Sequence, residues 1–273
     1  MTYFRIGCSG WSYRAWVGPF FPAGTGPADY LRQYSRIFDA VEIDSSFYGT
    51  PKASSIDNWK KATPENFLFH AKVPGDITHR KMLNDTEEEL EHFLESVGRL
   101  GEKLGIVLFQ FPPSFTFNEG YADLIRLMGN LPREVKFAME FRNESWFREE
   151  AYRKLRSSGI ILAWSELPDL VTPEVITTDS VYLRLVGDRS INEKDFGKPV
   201  RDRSSKISRW GRIILEKEHE LDHVFVSANN HYQGFAPATV NLVREVLGLG
   251  RMDWKKILNH KGRGNQTGIF QWE

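Results

Sequence analysis

Residues 135–142 read VKFAMEFR, and the alternation of apolar and polar residues in this stretch indicates a β-strand with two unlike faces. Successive side chains of a β-strand point to opposite faces. Phe137 and Met139 therefore share one face, whereas Glu140 and Arg142 share the other. The apolar face is suited to packing on helices. We therefore expect the polar side chains to point into the interior of the protein, near the C-terminal end of the strand.

Short runs rich in β-branched or aromatic residues recur along the whole chain and predict eight strands. The other seven runs are FRIGCS (4–9), AVEIDS (40–45), FLFHAKV (67–73), GIVLFQF (105–111), IILAWS (160–165), VYLRLVG (181–187) and HVFVSAN (223–229). Segments with helical periodicity lie between most of them, which predicts a parallel sheet with helical crossovers. An open doubly wound sheet is the alternative, but no GxGxxG phosphate turn follows the first run.

The chain is predicted to be an α/β protein with a single (βα)8 TIM-type barrel. Its 273 residues fit a barrel of roughly 250 residues, so we assign residues 1–250 to the barrel. Residues 251–273 are expected to form a C-terminal tail that packs on the barrel or extends from it. Residues 166–180 contain two prolines and little helical periodicity, which predicts an irregular segment between strands 6 and 7.

Composition gives little indication of a charged macromolecular partner. Lys and Arg total 36, as do Asp and Glu, so the net charge does not favour nucleic acid or an anionic membrane. Cys8 is the only cysteine, which is typical of a reducing compartment. No signal peptide or stretch of ~18 apolar residues is present. We expect a cytoplasmic protein with no membrane partner, and no feature indicates an oligomeric state.

Polar residues lie near the C-terminal ends of several predicted strands. Their side chains are on the face opposite the apolar side chains. These residues are Glu42, Lys72, Gln110, Glu140, Arg142 and Arg184. Ligand sites of TIM-type barrels lie at the C-terminal ends of the strands. Uncompensated burial of charge is costly, so we expect these groups to be paired, hydrated or used to bind a ligand. The alternative is an ion-pair network that only fills the mouth of the barrel.

The last predicted strand leads into SANNHYQGFAP (227–237), which places Asn229, Asn230 and His231 at its C-terminal end. Amide side chains beside a helix N-terminus are suited to an oxyanion or a sugar hydroxyl group. The alternative is a turn that is stabilised by the asparagine side chains.

Large aromatic residues follow the first two strands. Trp11 and Tyr48 are placed where they can stack on a flat ligand. Packing in the core or within the loops is the alternative interpretation for both.

Residues 189–212 carry eight basic residues against three acidic ones. This segment covers the loop after the seventh strand and the start of its helix, a region that commonly receives phosphate in TIM-type barrels. A basic rim attracts an anionic ligand, and nucleic acid is one candidate. A solvated charged loop is the alternative.

Metal-ligand patterns are weak in this sequence. A mixed site from Glu42, Glu140, His79 and His231 is conceivable, but the lysine and arginines predicted nearby would repel a cation. We therefore predict no metal and no cofactor.

Six ordered motifs resemble one known family. They are GCSGWSYRAW (7–16), VEIDSSFYGTP (41–51), LFQFPPSF (108–115), MEFRNESW (139–146), YLRLVG (182–187) and SANNHYQGFAP (227–237). Together they are similar to the domain-of-unknown-function family numbered 72, also called YecE-like. The resemblance implies a (βα)8 barrel and no established activity. It also implies that the family motif positions include Glu42, Gln110, Glu140, Arg142, Arg184, Asn229 and Asn230.

Two functional hypotheses follow. The first is an enzyme that acts on a polar anionic ligand containing phosphate or sugar. Hydrolysis of a phosphoester bond and hydrolysis of a glycosidic bond are the two reactions considered. In this enzyme Glu42 and Glu140 supply acid–base catalysis, while Lys72, Arg142 and Arg184 hold the anion. The second is a non-catalytic protein that binds nucleic acid or a metabolite through residues 189–212.

Overall fold

The computed structural model describes residues 2–259, in which eight parallel strands close into a barrel in chain order. The strands are β1 (Tyr3–Ser9), β2 (Ala40–Ile43), β3 (Leu68–Lys72), β4 (Leu104–Gln110), β5 (Lys136–Glu140), β6 (Ile161–Glu166), β7 (Ser180–Leu185) and β8 (His223–Ala228). β1 pairs with both β2 and β8, which closes the barrel. The predicted TIM-type fold is confirmed, and each predicted run becomes a strand.

Helices surround the barrel and cover its outer, apolar face. They are α1 (Tyr30–Tyr34), α2 (Ala53–Ala62), α3 (Glu87–Gly98), α4 (Phe117–Asn130), α5 (Glu149–Ser158), α6 (Ser204–Lys217), α7 (Asn230–Gln233), α8 (Ala236–Val246) and α9 (Trp254–Asn259). In α3, for example, Leu90, Phe93 and Val97 are buried on one face. A π-helical turn, Asp76–Arg80, follows β3.

The connection between β6 and β7 contains no helix, as the sequence predicts. Two buried threonines attach this connection to β6 instead. Thr172 Oγ1 accepts a hydrogen bond from the Ser165 backbone N at 3.1 Å, and Thr177 Oγ1 accepts one from the Leu162 N at 2.8 Å. Hydrogen bonds to these two hydroxyl groups thus fix the connection against β6. In most other parts of the barrel, a helix packs on the strand instead.

The interior of the barrel changes from apolar to polar along the strand direction. Its apolar part is a separate buried cluster of Ile106, Leu108, Ala138, Ile161, Ala163, Tyr182 and Phe225. Side chains that lie two residues further along their strands, such as Gln110, Glu140 and Arg184, are polar and buried. The strand period of two places both sets on the inner face, so the polar groups gather at the C-terminal end.

The first part of the predicted tail packs against the barrel. Trp254 Nε1 donates a 2.9 Å hydrogen bond to the Pro19 carbonyl, and Leu258 is buried. Residues 260–273 of the predicted tail lie outside the described residues. Between residues 2 and 259, no helix combines the length and the apolar character that a membrane span requires.

Gly7 in β1 provides a test of barrel closure. A Cβ atom at this position would lie 1.9 Å from the Ala40 carbonyl oxygen of β2 and 2.9 Å from the Tyr34 hydroxyl. We expect Gly7→Ala to lower the free energy of unfolding by ~1–3 kcal/mol or more, because backbone must move to admit the methyl group. Urea denaturation measures the effect. Gly26→Ala is the matched control, since nothing lies within 4 Å of that Cβ position, and an equal loss in both variants would contradict the expectation.

Candidate functional site

A cavity of about 840 Å³ opens at the C-terminal end of the barrel. The ends of β3 and β7 and the loops after β1, β2, β5, β7 and β8 line it. Seven of the residues singled out in the sequence contribute to the lining: Trp11, Tyr48, Lys72, Arg142, Arg184, Asn229 and His231.

Arg184 lines the cavity and binds two carboxylates from other strands. Its Nε and Nη2 donate to Glu42 Oε2 at 2.7 Å and Oε1 at 2.6 Å. Its Nη1 donates to Glu140 Oε2. Both glutamates are completely buried, and the arginine side chain is only 4% exposed. One guanidinium therefore links β2, β5 and β7 across the interior of the barrel.

Two further donors complete the pairing of the carboxylates. Arg142 Nε donates to Glu140 Oε1 at 3.0 Å, and the Tyr182 hydroxyl donates to Glu42 Oε2. All four carboxylate oxygens thus accept at least one hydrogen bond. The ion-pair network that the sequence left open is present, and we call these five residues the rim network.

The rim network keeps both carboxyl groups ionised. Burial raises the pKa of Glu42, but the charge and hydrogen bonds of Arg184, together with the Tyr182 hydroxyl, outweigh burial and hold this pKa at about 2. Burial also opposes ionisation of Glu140, yet Arg184, Arg142 and Lys72 lower its pKa below the ordinary range. The surroundings therefore favour the carboxylate form of both groups near neutral pH.

Lys72 lies beside the rim network but is not part of it. It ends β3, is 4% exposed, and its Nζ lies 3.9 Å from the centre of the Phe47 ring. Across residues 2–259, its ammonium group has neither an ion-pair nor a hydrogen-bond partner. Burial and the nearby Arg184 charge lower the pKa of Lys72 to about 8.

Gln110 is buried behind the cavity rather than in its lining. Its Nε2 lies 3.0 Å from Nε2 of His79, whose Nδ1 lies 2.9 Å from the Thr78 hydroxyl. Because an amide nitrogen only donates, His79 Nε2 accepts and Nδ1 carries the proton. Burial and the Lys72 and Arg142 charges lower the His79 pKa to about 4, so the ring is neutral at physiological pH.

The asparagines after β8 have two different positions. Asn229 lines the cavity, and its side chain caps α7 by accepting a 3.0 Å hydrogen bond from the His231 backbone N. Asn230 lies outside the lining, where its Oδ1 accepts hydrogen bonds from Trp16 Nε1 at 3.1 Å and from the Ala236 N at 2.9 Å. The contacts of Asn230 are therefore those of a side chain that stabilises the turn, which is the alternative to ligand binding given above.

The two aromatic residues singled out in the sequence both reach the cavity. Tyr48 is 80% exposed, whereas Trp11 is half-buried and packs edge-on against Trp59 with ring centres 5.3 Å apart. Asp44 and Arg189 also line the cavity, although the sequence did not single them out as site residues. Sequence position could have identified both residues, since Asp44 follows β2 directly and Arg189 begins the basic segment.

Most of the basic residues of 189–212 are occupied by contacts within the protein. Arg201 pairs with Asp188, Lys206 with Glu166, Arg209 with Glu174 and Lys198 with Asp195, while Arg203 donates to the Tyr232 carbonyl. The segment is therefore less available to a polyanion than its composition suggests. Arg189 differs, because it faces the cavity.

Among residues 2–259, no cluster of three or more His, Cys, Asp or Glu side chains is arranged to hold a metal ion. The carboxylates considered for a mixed site, Glu42 and Glu140, are occupied by arginines instead.

Removing one partner of the rim network should be costly. We expect Glu42→Gln to lower the free energy of unfolding by roughly 3–5 kcal/mol at pH 7, because it leaves Arg184 partly unpaired in a buried position. The folded-state pKa of Glu42 lies below the ordinary value of 4.5, so its stabilisation is complete above that pH and declines as pH falls towards 2.

Urea denaturation between pH 3 and 7 measures both effects. The wild type should lose stability towards low pH more steeply than Glu42→Gln. Asp57→Asn is the control, because Asp57 forms an exposed ion pair with Arg99 and its loss should change stability little. Equal pH dependence in the wild type and Glu42→Gln would contradict the assignment.

Two solved structures share this fold. A DUF72 family protein from Thermotoga maritima superposes with a TM-score of 0.77 and 28% identity, covering 90% of this chain and 99% of that one. A DUF72 family protein from Enterococcus faecalis gives a TM-score of 0.74 and 24% identity, covering 92% of this chain and 99% of that one. At that identity, the second likeness supports the fold alone.

Sequence relatives carry family names without an activity. UPF0759 protein YunF of Bacillus subtilis is 27% identical over 267 residues, covering 89% of this chain and 94% of the relative. UPF0759 protein YecE of Escherichia coli is 26% identical over 155 residues, or 57% of this chain and 54% of the relative. The model of the family described as "Protein of unknown function DUF72" matches residues 5–261. The chain therefore belongs to the DUF72 family.

Proposed function

We propose that this protein is an enzyme that binds a small anionic molecule, bearing phosphate or a sugar phosphate, in the cavity at the C-terminal end of the barrel. The observation that carries the proposal is the floor of the cavity, where Lys72, Arg142 and Arg184 come together from three different strand ends. Cationic groups that converge in a partly desolvated site favour a ligand with concentrated negative charge. Arg189 adds a fourth cation at the cavity wall.

The carboxylates serve this site by orienting its cations. Glu42 and Glu140 fix the guanidinium groups of Arg184 and Arg142, which leaves the remaining donors of those groups to a ligand. Glycoside hydrolysis needs a protonated carboxyl group near neutral pH. Because both carboxyl groups are held ionised, glycosidic cleavage is the less favoured of the two hydrolytic reactions. A phosphate group fits the cationic floor better.

Non-catalytic binding of nucleic acid through residues 189–212 is less well supported. Such binding requires cations that are available to phosphates along a strand. Arg201, Lys206 and Arg209 are paired with carboxylates of this same protein. A concave cavity of about 840 Å³ suits a small ligand instead.

Calorimetric titration with inorganic pyrophosphate tests the proposal, and thermal denaturation gives an independent measure. Saturation a hundredfold above Kd should stabilise the folded protein by about 2.7 kcal/mol. Arg142→Ala should weaken binding at least tenfold, because this arginine lines the cavity and is partly exposed. Arg212→Ala, an exposed position on α6, is the matched control and should bind normally.

Two results would contradict the proposal. One is the absence of binding of any phosphate-bearing anion to the wild type. The other is an equal loss of binding in Arg142→Ala and Arg212→Ala, which would place the anion on the general surface. Turnover is then sought with phosphate esters, and retention of binding without turnover would leave a binding protein rather than an enzyme.

A further inference from the structure

We propose that Lys72 is an amine nucleophile that forms a Schiff base with a carbonyl carbon of the ligand. This inference rests on the proposed function and narrows it. The ligand would be an aldehyde or ketone that also carries phosphate, such as a sugar phosphate in its open-chain form. Carbonyl chemistry would then take the place of hydrolysis at this site.

The position of Lys72 separates it from the other cations of the floor. Arg184 and Arg142 are held by carboxylates, whereas the Lys72 ammonium has no polar partner in the part of the chain that the structure describes. Its side chain is 96% buried, yet it lines the cavity. A buried amine that has no ion-pair or hydrogen-bond partner among the described residues, and that faces a ligand-sized space, is available for chemistry.

The surroundings of Lys72 increase the share of the neutral amine that such chemistry needs. Burial of Nζ and the neighbouring Arg184 charge both lower the pKa of Lys72. They outweigh the carboxylates of Asp44, Glu42 and Glu140, which raise this pKa. At pH 7, roughly a tenth of a lysine with a pKa of about 8 is unprotonated. Desolvation in an apolar pocket or a neighbouring cation activates lysine nucleophiles in this way.

The proposed step is balanced and involves no oxidation or reduction. The Nζ lone pair attacks the carbonyl carbon, the C=O electron pair moves to oxygen, and a proton passes from nitrogen to that oxygen. The resulting carbinolamine loses its hydroxyl group as water when a second proton reaches it, and C=N forms as the iminium. Addition of water reverses these steps. Arg142 and Arg184 would hold the phosphate group during the exchange.

Reductive trapping with pyridoxal 5′-phosphate tests this inference, because the probe carries both an aldehyde and a phosphate. The whole chain is incubated with a small molar excess of the probe at pH 8, reduced with sodium borohydride and digested. Peptide mass spectrometry should find the reduced adduct mainly at Lys72. Lys72→Arg should remove this adduct, whereas Lys52→Arg, at an exposed position, should leave it unchanged.

Two further measurements keep the test independent of the fold of the variant. In the wild type, the initial rate of trapping at Lys72 should reach half its maximum near pH 8. This pH is lower than the pH at which trapping at exposed lysines reaches half its maximum. Pyrophosphate should compete with trapping, and pyridoxal without phosphate should label Lys72 at least tenfold more slowly. Labelling spread evenly over exposed lysines would overturn the inference.

Failure of this inference can be distinguished from failure of the proposed function. Pyrophosphate binding without trapping at Lys72 would overturn the Schiff base and leave the anion site intact. Trapping at Lys72 that is equal for both aldehydes, without pyrophosphate binding, would support the amine chemistry and contradict the phosphate ligand.

Discussion

The bidentate hydrogen bonding between Arg184 and Glu42, extended by the contact to Glu140, is the interaction on which the rest of the site depends. Two buried carboxylates in one barrel would repel each other and resist ionisation. A guanidinium between the two carboxylates offsets their repulsion, favours their ionised forms and adds directional hydrogen bonds. The same contacts join strands that are not neighbours in the sheet, so the geometry of the rim is tied to closure of the barrel.

The floor of the cavity therefore combines fixed and free charges. The arginines are oriented by carboxylates and can contribute only the donors that remain, which suits the positioning of a ligand. Lys72 is desolvated but unrestrained by polar contacts, which suits a group that changes its protonation state. Lys72 pairs in register with Leu108 of β4, whereas Glu140 pairs with Gln110, two residues further along the same strand.

Periodicity made the fold predictable, and the same alternation placed Glu42, Glu140 and Arg184 on the inner face. The identity of the pairs could not be predicted, because it depends on which strands oppose each other across the closed barrel. Asn230 illustrates a second limit, since its contact with Trp16 joins residues 214 positions apart. The basic segment shows a third limit, because its partners Glu166, at the end of β6, and Glu174, in the irregular connection that follows, are distant from it in sequence.

The apolar cluster inside the barrel restricts how a ligand could enter and leave the cavity. Phe225, Ile106 and their neighbours fill the interior below the polar layer, so the recess above them is a blind end rather than a tunnel. Whatever enters must leave by the route through which it came. For the proposed enzyme, a product would then have to depart before the next substrate could enter, and product release would be a candidate for the rate-limiting step.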